Sequence, residues 1–250
     1  TLGTGADTIK FANGKLTTAD TINGGATGAN TLKFTNATTL ADADLTNVTN
    51  IQTITLDNLS HGLVLAVGAE AMGASVATVT TGGGDDSVTL EAGYNSGTLT
   101  VNLGAGADTV NGAAQGGGSL IVTAAQDEIT TADTITGTTT AGTAANTLTI
   151  TTGSSATALV AADLDKITKM NTIQTSGNNA FSITTHTNNV VSGDDLAINA
   201  ASLTSANLTF DASAETDGGT FTLTAGGGAD TITLGTGADT IKFANGKLTT

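Results

Sequence analysis

The chain contains no cysteine, proline or tryptophan among its 250 residues, and its aromatic residues are six Phe and one Tyr. The missing cysteine excludes disulfides, thiolate metal sites and cysteine nucleophiles. With so few aromatic rings, the core must consist mainly of Val, Ile, Leu and Ala. Polar residues or glycine interrupt every hydrophobic stretch before the roughly 18 residues that a membrane-spanning helix needs. We therefore expect no membrane span.

Arginine is also absent, and 22 acidic residues against seven lysines give a net charge of −15. Nucleic-acid binding needs clustered Lys and Arg that displace counterions. This charge balance therefore excludes a nucleic-acid partner. Scattered carboxylates of this kind keep a protein surface soluble, whereas carboxylates at turn corners call for a more specific explanation.

Thr, Gly and small aliphatic residues dominate what is present, with 33 glycines. β-branched residues favour strands, and glycine permits tight turns. Polar and apolar residues alternate in TLTVNL from Thr98 and in TFTLTA from Thr220, which is typical of strands. Apolar residues three apart at Leu45, Val48 and Ile51 indicate a helical turn that leads into a strand. We expect little helix elsewhere.

The strongest feature is a repeat: Thr1–Thr18 recurs unchanged at Thr233–Thr250, which gives a period of 232 residues. Fixed-period repetition is typical of solenoids, whose units complete their cores against neighbouring units. The sequence is therefore interpreted as a window from a longer tandem array. Similar passages near Ala19 and Ala132 divide it into 1–18 (start of the repeat), a first half-unit at 19–131 and a second half-unit at 132–250.

Two contiguous nonapeptides, AGGGADTIT and LGTGADTIK, begin at Ala225. Each has Gly at positions two and four, Asp at position six and an apolar residue at position eight, which predicts a tight turn followed by a short strand. The candidate metal ligands in these nonapeptides and in related turns are Gly226, Gly228, Asp230, Gly235, Gly237, Asp239, Gly3, Gly5, Asp7, Asp20, Asn30, Gly82, Gly84, Asp86, Gly104, Gly106, Asp108 and Asp133.

A turn with the pattern GxGxD places backbone carbonyls and a carboxylate on one side of the chain, and two stacked turns supply the roughly six oxygens that Ca²⁺ prefers. Coils of two nonapeptides, about 18 residues, would place Asp239, or its copy Asp7, on one edge with Asn30, and Asp230 with Asp20 of the following period. Asp86 and Asp108 would bind calcium only if the intervening TLEAGYNSGTLTVN forms a complete coil.

The segment GGGADTITLGTGADTIKF resembles the calcium-binding nonapeptides of the repeats-in-toxin family, and the Thr-, Ala- and Gly-rich strands around it are similar to bacterial surface-layer proteins and giant adhesins. The resemblance implies an all-β fold, a parallel β-solenoid or calcium β-roll, with Ca²⁺ as its cofactor. It further implies one-step secretion and a place outside the cell or on its surface.

The leading hypothesis is an extracellular structural repeat of a surface layer or filament, with neighbouring copies of the repeat as partners. The alternative is an adhesin repeat that binds a host, a glycan or ice through Thr-x-Thr triplets, such as Thr98–Thr100, Thr147–Thr149 and Thr231–Thr233. Catalysis is not expected, because His61 and His186 lie far apart in the sequence and adjacent acidic residues on a strand point to opposite faces.

Overall fold

A computed structural model describes residues 2–36, 38–56, 61–138, 145–154 and 156–243. The described residues are almost entirely parallel β-structure and form a β-solenoid of about nine turns with very little helix. This confirms the predicted fold class. The structure describes the second copy of the terminal repeat as far as Phe243. Its last residues, 244–250, lie outside the described part.

The chain divides into two compact units, of which unit 1 comprises Thr1–Val122 and Gly137–Ala144. Its strands pair in the orders β1-β3-β6-β8-β10, β4-β7-β9-β11 and β2-β5. These elements are β1 (Thr8–Phe11), β2 (Ile22–Asn23), β3 (Thr31–Phe34), β4 (Thr38–Leu40), a 3₁₀ helix (Asp42–Leu45), β5 (Val48–Thr49), β6 (Thr53–Leu56), β7 (Leu63–Val67), α1 (Ala69–Gly73), β8 (Thr78–Thr80), β9 (Ser87–Leu90), β10 (Thr98–Asn102) and β11 (Thr109–Asn111).

Unit 2 comprises Thr123–Thr136 and Ala145–Thr250, and β12 (Ser119–Ala125) spans the division. Its strands pair in the orders β14-β16-β18-β20-β22, β17-β19-β21 and β13-β15. The elements are a 3₁₀ helix (Gln126–Glu128), β13 (Thr134–Thr136), β14 (Asn146–Thr151), α2 (Ala161–Leu164), β15 (Ile167–Thr168), β16 (Thr172–Ser176), β17 (Phe181–Thr184), β18 (Asp195–Asn199), β19 (Leu208–Asp211), β20 (Thr220–Thr224), β21 (Thr231–Thr233) and β22 (Thr240–Lys242).

The core consists of ranks of aliphatic side chains that lie in register from one coil to the next, a coil being one complete turn of the solenoid. In unit 1, Leu32 lies opposite Ile54, and Ile54 lies opposite Val79. All three are fully buried. Side chains alternate across a strand, so every second residue faces this core and the others face outward. The core therefore follows the alternation seen in the sequence.

The expected helical turn before a strand is present: a 3₁₀ helix ends at Leu45, just before β5. The similar passage in unit 2 forms α2, which ends at Leu164 just before β15. After each short strand comes a non-glycine residue with positive φ, Asn50 at 57° and Lys169 at 59°. The two passages therefore share a local fold as well as a sequence pattern.

Coil length differs from the expected 18 residues. Paired strand entries are separated by 23 residues between Asp7 and Asn30 and by 22 between Asp86 and Asp108. A separation of 18 occurs between Phe221 and Asp239. The eighteen-residue coil was therefore wrong for most of the solenoid, because loops such as the Asn-Gly turn at Asn13 lengthen the path between successive strands of one sheet.

Candidate functional site

Side-chain oxygens at strand entries form a ladder between neighbouring coils. Asp7, Asn30 and Gln52 each lie immediately before a strand of one sheet. The amide of Asp7 donates to Oδ1 of Asn30 over 2.9 Å, and the amide of Asn30 donates to Oε1 of Gln52 over 2.8 Å. The prediction that Asp7 and Asn30 share an edge is confirmed.

A second ladder in unit 1, which we name the buried aspartate stack, consists of Leu63, Asp86 and Asp108. Leu63 donates its amide to Oδ1 of Asp86 over 2.6 Å, and the Asp86 amide donates to Oδ1 of Asp108 over 2.9 Å. The exposed fraction is 3% for Asp86 and 1% for Asp108. The segment between the two aspartates forms one complete coil, which was the condition set for a calcium site there.

Burial raises the pKa of Asp86, hydrogen bonds from the Leu63 amide and the Thr81 side chain oppose the rise, and the charge of Asp85 adds to it. Desolvation disfavours the ionised form of a carboxyl group. Keeping Asp86 ionised therefore lowers the stability of the folded state. A cation close to its free oxygen would remove that cost.

The coils are also clamped in the reverse direction. The amide of Ala107 donates to Oδ1 of Asp85, the residue before Asp86, over 2.9 Å. Unit 2 repeats the arrangement, with the Ala229 amide donating to Oδ1 of Asn207 and the Leu208 amide donating to Oδ1 of Asp230. Two adjacent coils therefore each supply an acceptor to the other.

The two tandem nonapeptide turns of unit 2 do not stack on each other. Asp230 precedes β21, which pairs with β19, whereas Asp239 precedes β22, which pairs with β20. Each carboxylate accepts an amide from a different sheet, Leu208 in one case and Phe221 in the other. Both aspartates are only partly buried. Adjacent nonapeptides thus alternate between sheets.

Most glycines of the predicted turns lie where successive coils approach closely, whereas a Cβ at Gly3 or Gly5 would meet nothing within 4 Å. A side chain at Gly104 would collide with the carbonyl oxygen of Gly82, and one at Gly106 would collide with that of Gly84. Glycine is required wherever a Cβ has no room. The same crowding from a neighbouring coil is found at Gly84, Gly226, Gly228, Gly235 and Gly237.

Asp20 and Asp133 each close a local turn. Each follows the sequence TTA, and each accepts the amide and the hydroxyl of the Thr three residues earlier, Thr17 for Asp20 and Thr130 for Asp133. Asp133 also lies directly before β13, at a strand entry. The predicted pairing of Asp230 with Asp20 of the following period stays a prediction.

Sequence reasoning missed several members of the ladder. Gln52 and Asn207 were not singled out, nor was Asn171, whose Oδ1 accepts the Asn146 amide over 2.8 Å. All three directly precede a strand or lie at its entry, and an amide or carboxylate just before a Thr- or Leu-led strand was the available signal. Asp42 was missed as well: its carboxylate accepts the amides of Gly68, Glu70 and Ala71 and so caps α1.

The donor set fits a hard cation in part. Oδ2 of Asp7 and Oδ2 of Asp86 are buried and accept no hydrogen bond. A buried oxygen of this kind is costly without a partner, and Ca²⁺ prefers carboxylate and carbonyl oxygens. In the part of the chain that the structure describes, no three His, Asp or Glu side chains cluster closely enough to hold a metal. Backbone carbonyls and water would therefore complete the shell.

No protein family, no curated protein and no solved structure matches the chain. Among the described residues, no helix has the length and apolarity needed to cross a membrane.

Proposed function

We propose that the chain is an extracellular structural repeat, a calcium-stabilised β-solenoid that forms part of a bacterial surface layer or filament. The observation that carries the proposal is the buried aspartate stack, in which Asp86 keeps one oxygen for the Leu63 amide and leaves Oδ2 without a partner. The resemblance of the turns to repeats-in-toxin nonapeptides supports the same proposal. Its role is mechanical rather than catalytic.

The residues assigned to the ion are Asp86 and Asp108, with carbonyl oxygens of the glycine turns at 82–84 and 104–106. Bound Ca²⁺ supplies positive charge that offsets the desolvation of these carboxylates and links one coil to the next. The chain itself positions the oxygens, because Oδ1 of each aspartate is fixed by an amide of the preceding coil. Successive copies of the repeat then lengthen the solenoid.

The test is far-UV circular dichroism of the 250-residue chain during a Ca²⁺ titration from chelator, with sedimentation velocity at both end points. We expect calcium to increase β-structure, because metal binding is coupled to folding. We also expect it to drive association of copies. Mg²⁺ at equal concentration is the control, since it tolerates only near-octahedral geometry. An unchanged β-rich spectrum would reject the calcium part of the proposal.

A specific observation favours a second candidate function, adhesion to a periodic surface. Five threonines lie in register on the outward face of unit 1, one on each of five neighbouring strands, at Thr8, Thr31, Thr53, Thr78 and Thr100. Neighbouring strands are about 4.8 Å apart, so the rank is regular. The test is binding to ice or a crystalline polysaccharide by the natural chain, by Thr53→Lys and, as a control, by Thr89→Lys. Loss of binding in Thr53→Lys alone would support this candidate. No binding by the natural chain would remove it.

A further inference from the structure

The same sequence lies at both ends of the described chain and makes complementary contacts in its two places. As residues 2–11 it contains β1, which pairs with β3 through Thr8 opposite Thr31. As residues 234–243 it contains β22, which pairs with β20 through Thr240 opposite Thr222. Within the described residues, each copy has a strand partner on one side only.

The ladder contacts of the two copies are also complementary. Asp239 accepts the Phe221 amide at Oδ1 over 2.9 Å, a contact to the coil before it. Asp7, the same residue of the repeat, donates its amide to Asn30 in the coil after it. Asp86, inside unit 1, makes both kinds of contact at once. Together, the two terminal copies contain the contacts of one complete rung.

The glycines show the same complementarity. A Cβ at Gly3 would meet nothing within 4 Å, and Gly3 does not have a positive φ, so this position has no need of glycine. Its copy Gly235 does, because a Cβ there would lie 2.8 Å from Cβ of Glu215 in the preceding coil. Apolar side chains are uncovered at both ends, with Leu2 37% and Phe243 38% exposed. A preceding coil would thus explain the glycine at position 3 and would cover the exposed side chain of Leu2.

We propose that successive periods of this chain share this segment as a single coil, with β20 of one period on one side and β3 of the next on the other. The solenoid then runs through the period boundary without a linker, and the partner of each end is a second copy of this chain. This inference rests on the proposed tandem arrangement and makes no use of calcium. Both edges of the shared strand become hydrogen-bonded, as a solenoid requires.

The test is amide hydrogen exchange on a two-period chain in which residues 1–232 are followed by residues 1–250, read by mass spectrometry on peptides that extend into the flanking sequence that differs between the copies. We expect the junction copy of TIKF to exchange on the order of 100-fold more slowly than the same peptide at either terminus, because both of its edges are paired. Equal exchange in the junction copy and the terminal copies would overturn the proposal and would mean that the periods fold separately.

A glycine substitution tests the upstream side of the junction, on which the shared coil depends. Gly3→Ala in the first period of the two-period chain should leave exchange and the unfolding midpoint unchanged. The same substitution in the junction copy, which is Gly235 of the first period, should lower the midpoint and speed exchange there. Equal tolerance at both places would contradict the shared coil. Both measurements are made in Ca²⁺ and in chelator, so that a failed calcium response is distinguished from a failed junction.

Discussion

The buried aspartate stack of unit 1 and the tandem nonapeptide turns of unit 2 differ in a way that the sequence motifs do not suggest. The nonapeptides around Asp230 and Asp239 match the motif best, yet their carboxylates are partly exposed and serve different sheets. The weaker matches around Asp86 and Asp108 form the direct, almost fully buried stack. How closely a turn matches the nonapeptide motif therefore does not determine whether its carboxylate stacks on that of a neighbouring coil.

The reason lies in the path of the coil. An advance of nine residues carries the chain from one sheet to another, and only a complete coil returns it to the same edge. Asp86 and Asp108 are 22 residues apart and lie on one edge. Asp230 and Asp239 are half a coil apart and lie on two edges. Stacking of carboxylates thus depends on the residues between two motifs.

The largest effect is expected from Gly104→Ala, which breaks the close approach of the two turns in the buried aspartate stack. The new Cβ would collide with the Gly82 carbonyl oxygen. Overpacking against a rigid backbone of this kind should cost about 3 kcal/mol or more in the free energy of unfolding. Urea unfolding measures it, with Gly73→Ala as control because nothing lies within 4 Å there. Equal effects of the two substitutions would contradict the close approach.

A smaller effect is expected from removing the acceptor at each type of turn. The comparison is between Asn and Ala at the same position, since Asn keeps the acceptor oxygen. At Asp86, Ala should be less stable than Asn by about 1–3 kcal/mol, because the buried Leu63 amide loses its partner. At Asp230 the difference should stay below about 1 kcal/mol, because water can replace the lost oxygen. Equal differences at the two positions would remove the distinction between the turns.

The smallest effect is expected from Glu215→Gln in unit 2. Burial raises the pKa of Glu215, which is 1% exposed, and hydrogen bonding with Asp217 adds to the rise. A raised pKa in the folded state means that stability is greatest below the unfolded pKa and falls as pH rises through the folded value. Gln should therefore raise the free energy of unfolding near pH 7, by less than about 1 kcal/mol, and have no such effect below pH 4, as urea unfolding at the two pH values would measure. A gain that persists below pH 4 would contradict this assignment.

The sequence predicted the solenoid, the alternation of core residues and the shared edge of Asp7 and Asn30. Each of these depends on local patterns or on similarity between coils. Coil length was mispredicted, since it depends on loops whose path has no period, such as the turn at Asn13. Gln52 was missed because an amide can replace a carboxylate as acceptor, so the ladder does not need a charged residue.

The most direct test of the calcium-stabilised stack is thermal unfolding of the natural chain and the Asp86→Asn variant, each in Ca²⁺ and in chelator near pH 7. In chelator the variant should be the more stable, because it keeps the acceptor for Leu63 and removes a carboxylate whose pKa is raised by burial. In Ca²⁺ the order should reverse, because the variant lacks a charged ligand. The same order of stability in both solutions would contradict a calcium site at the buried aspartate stack.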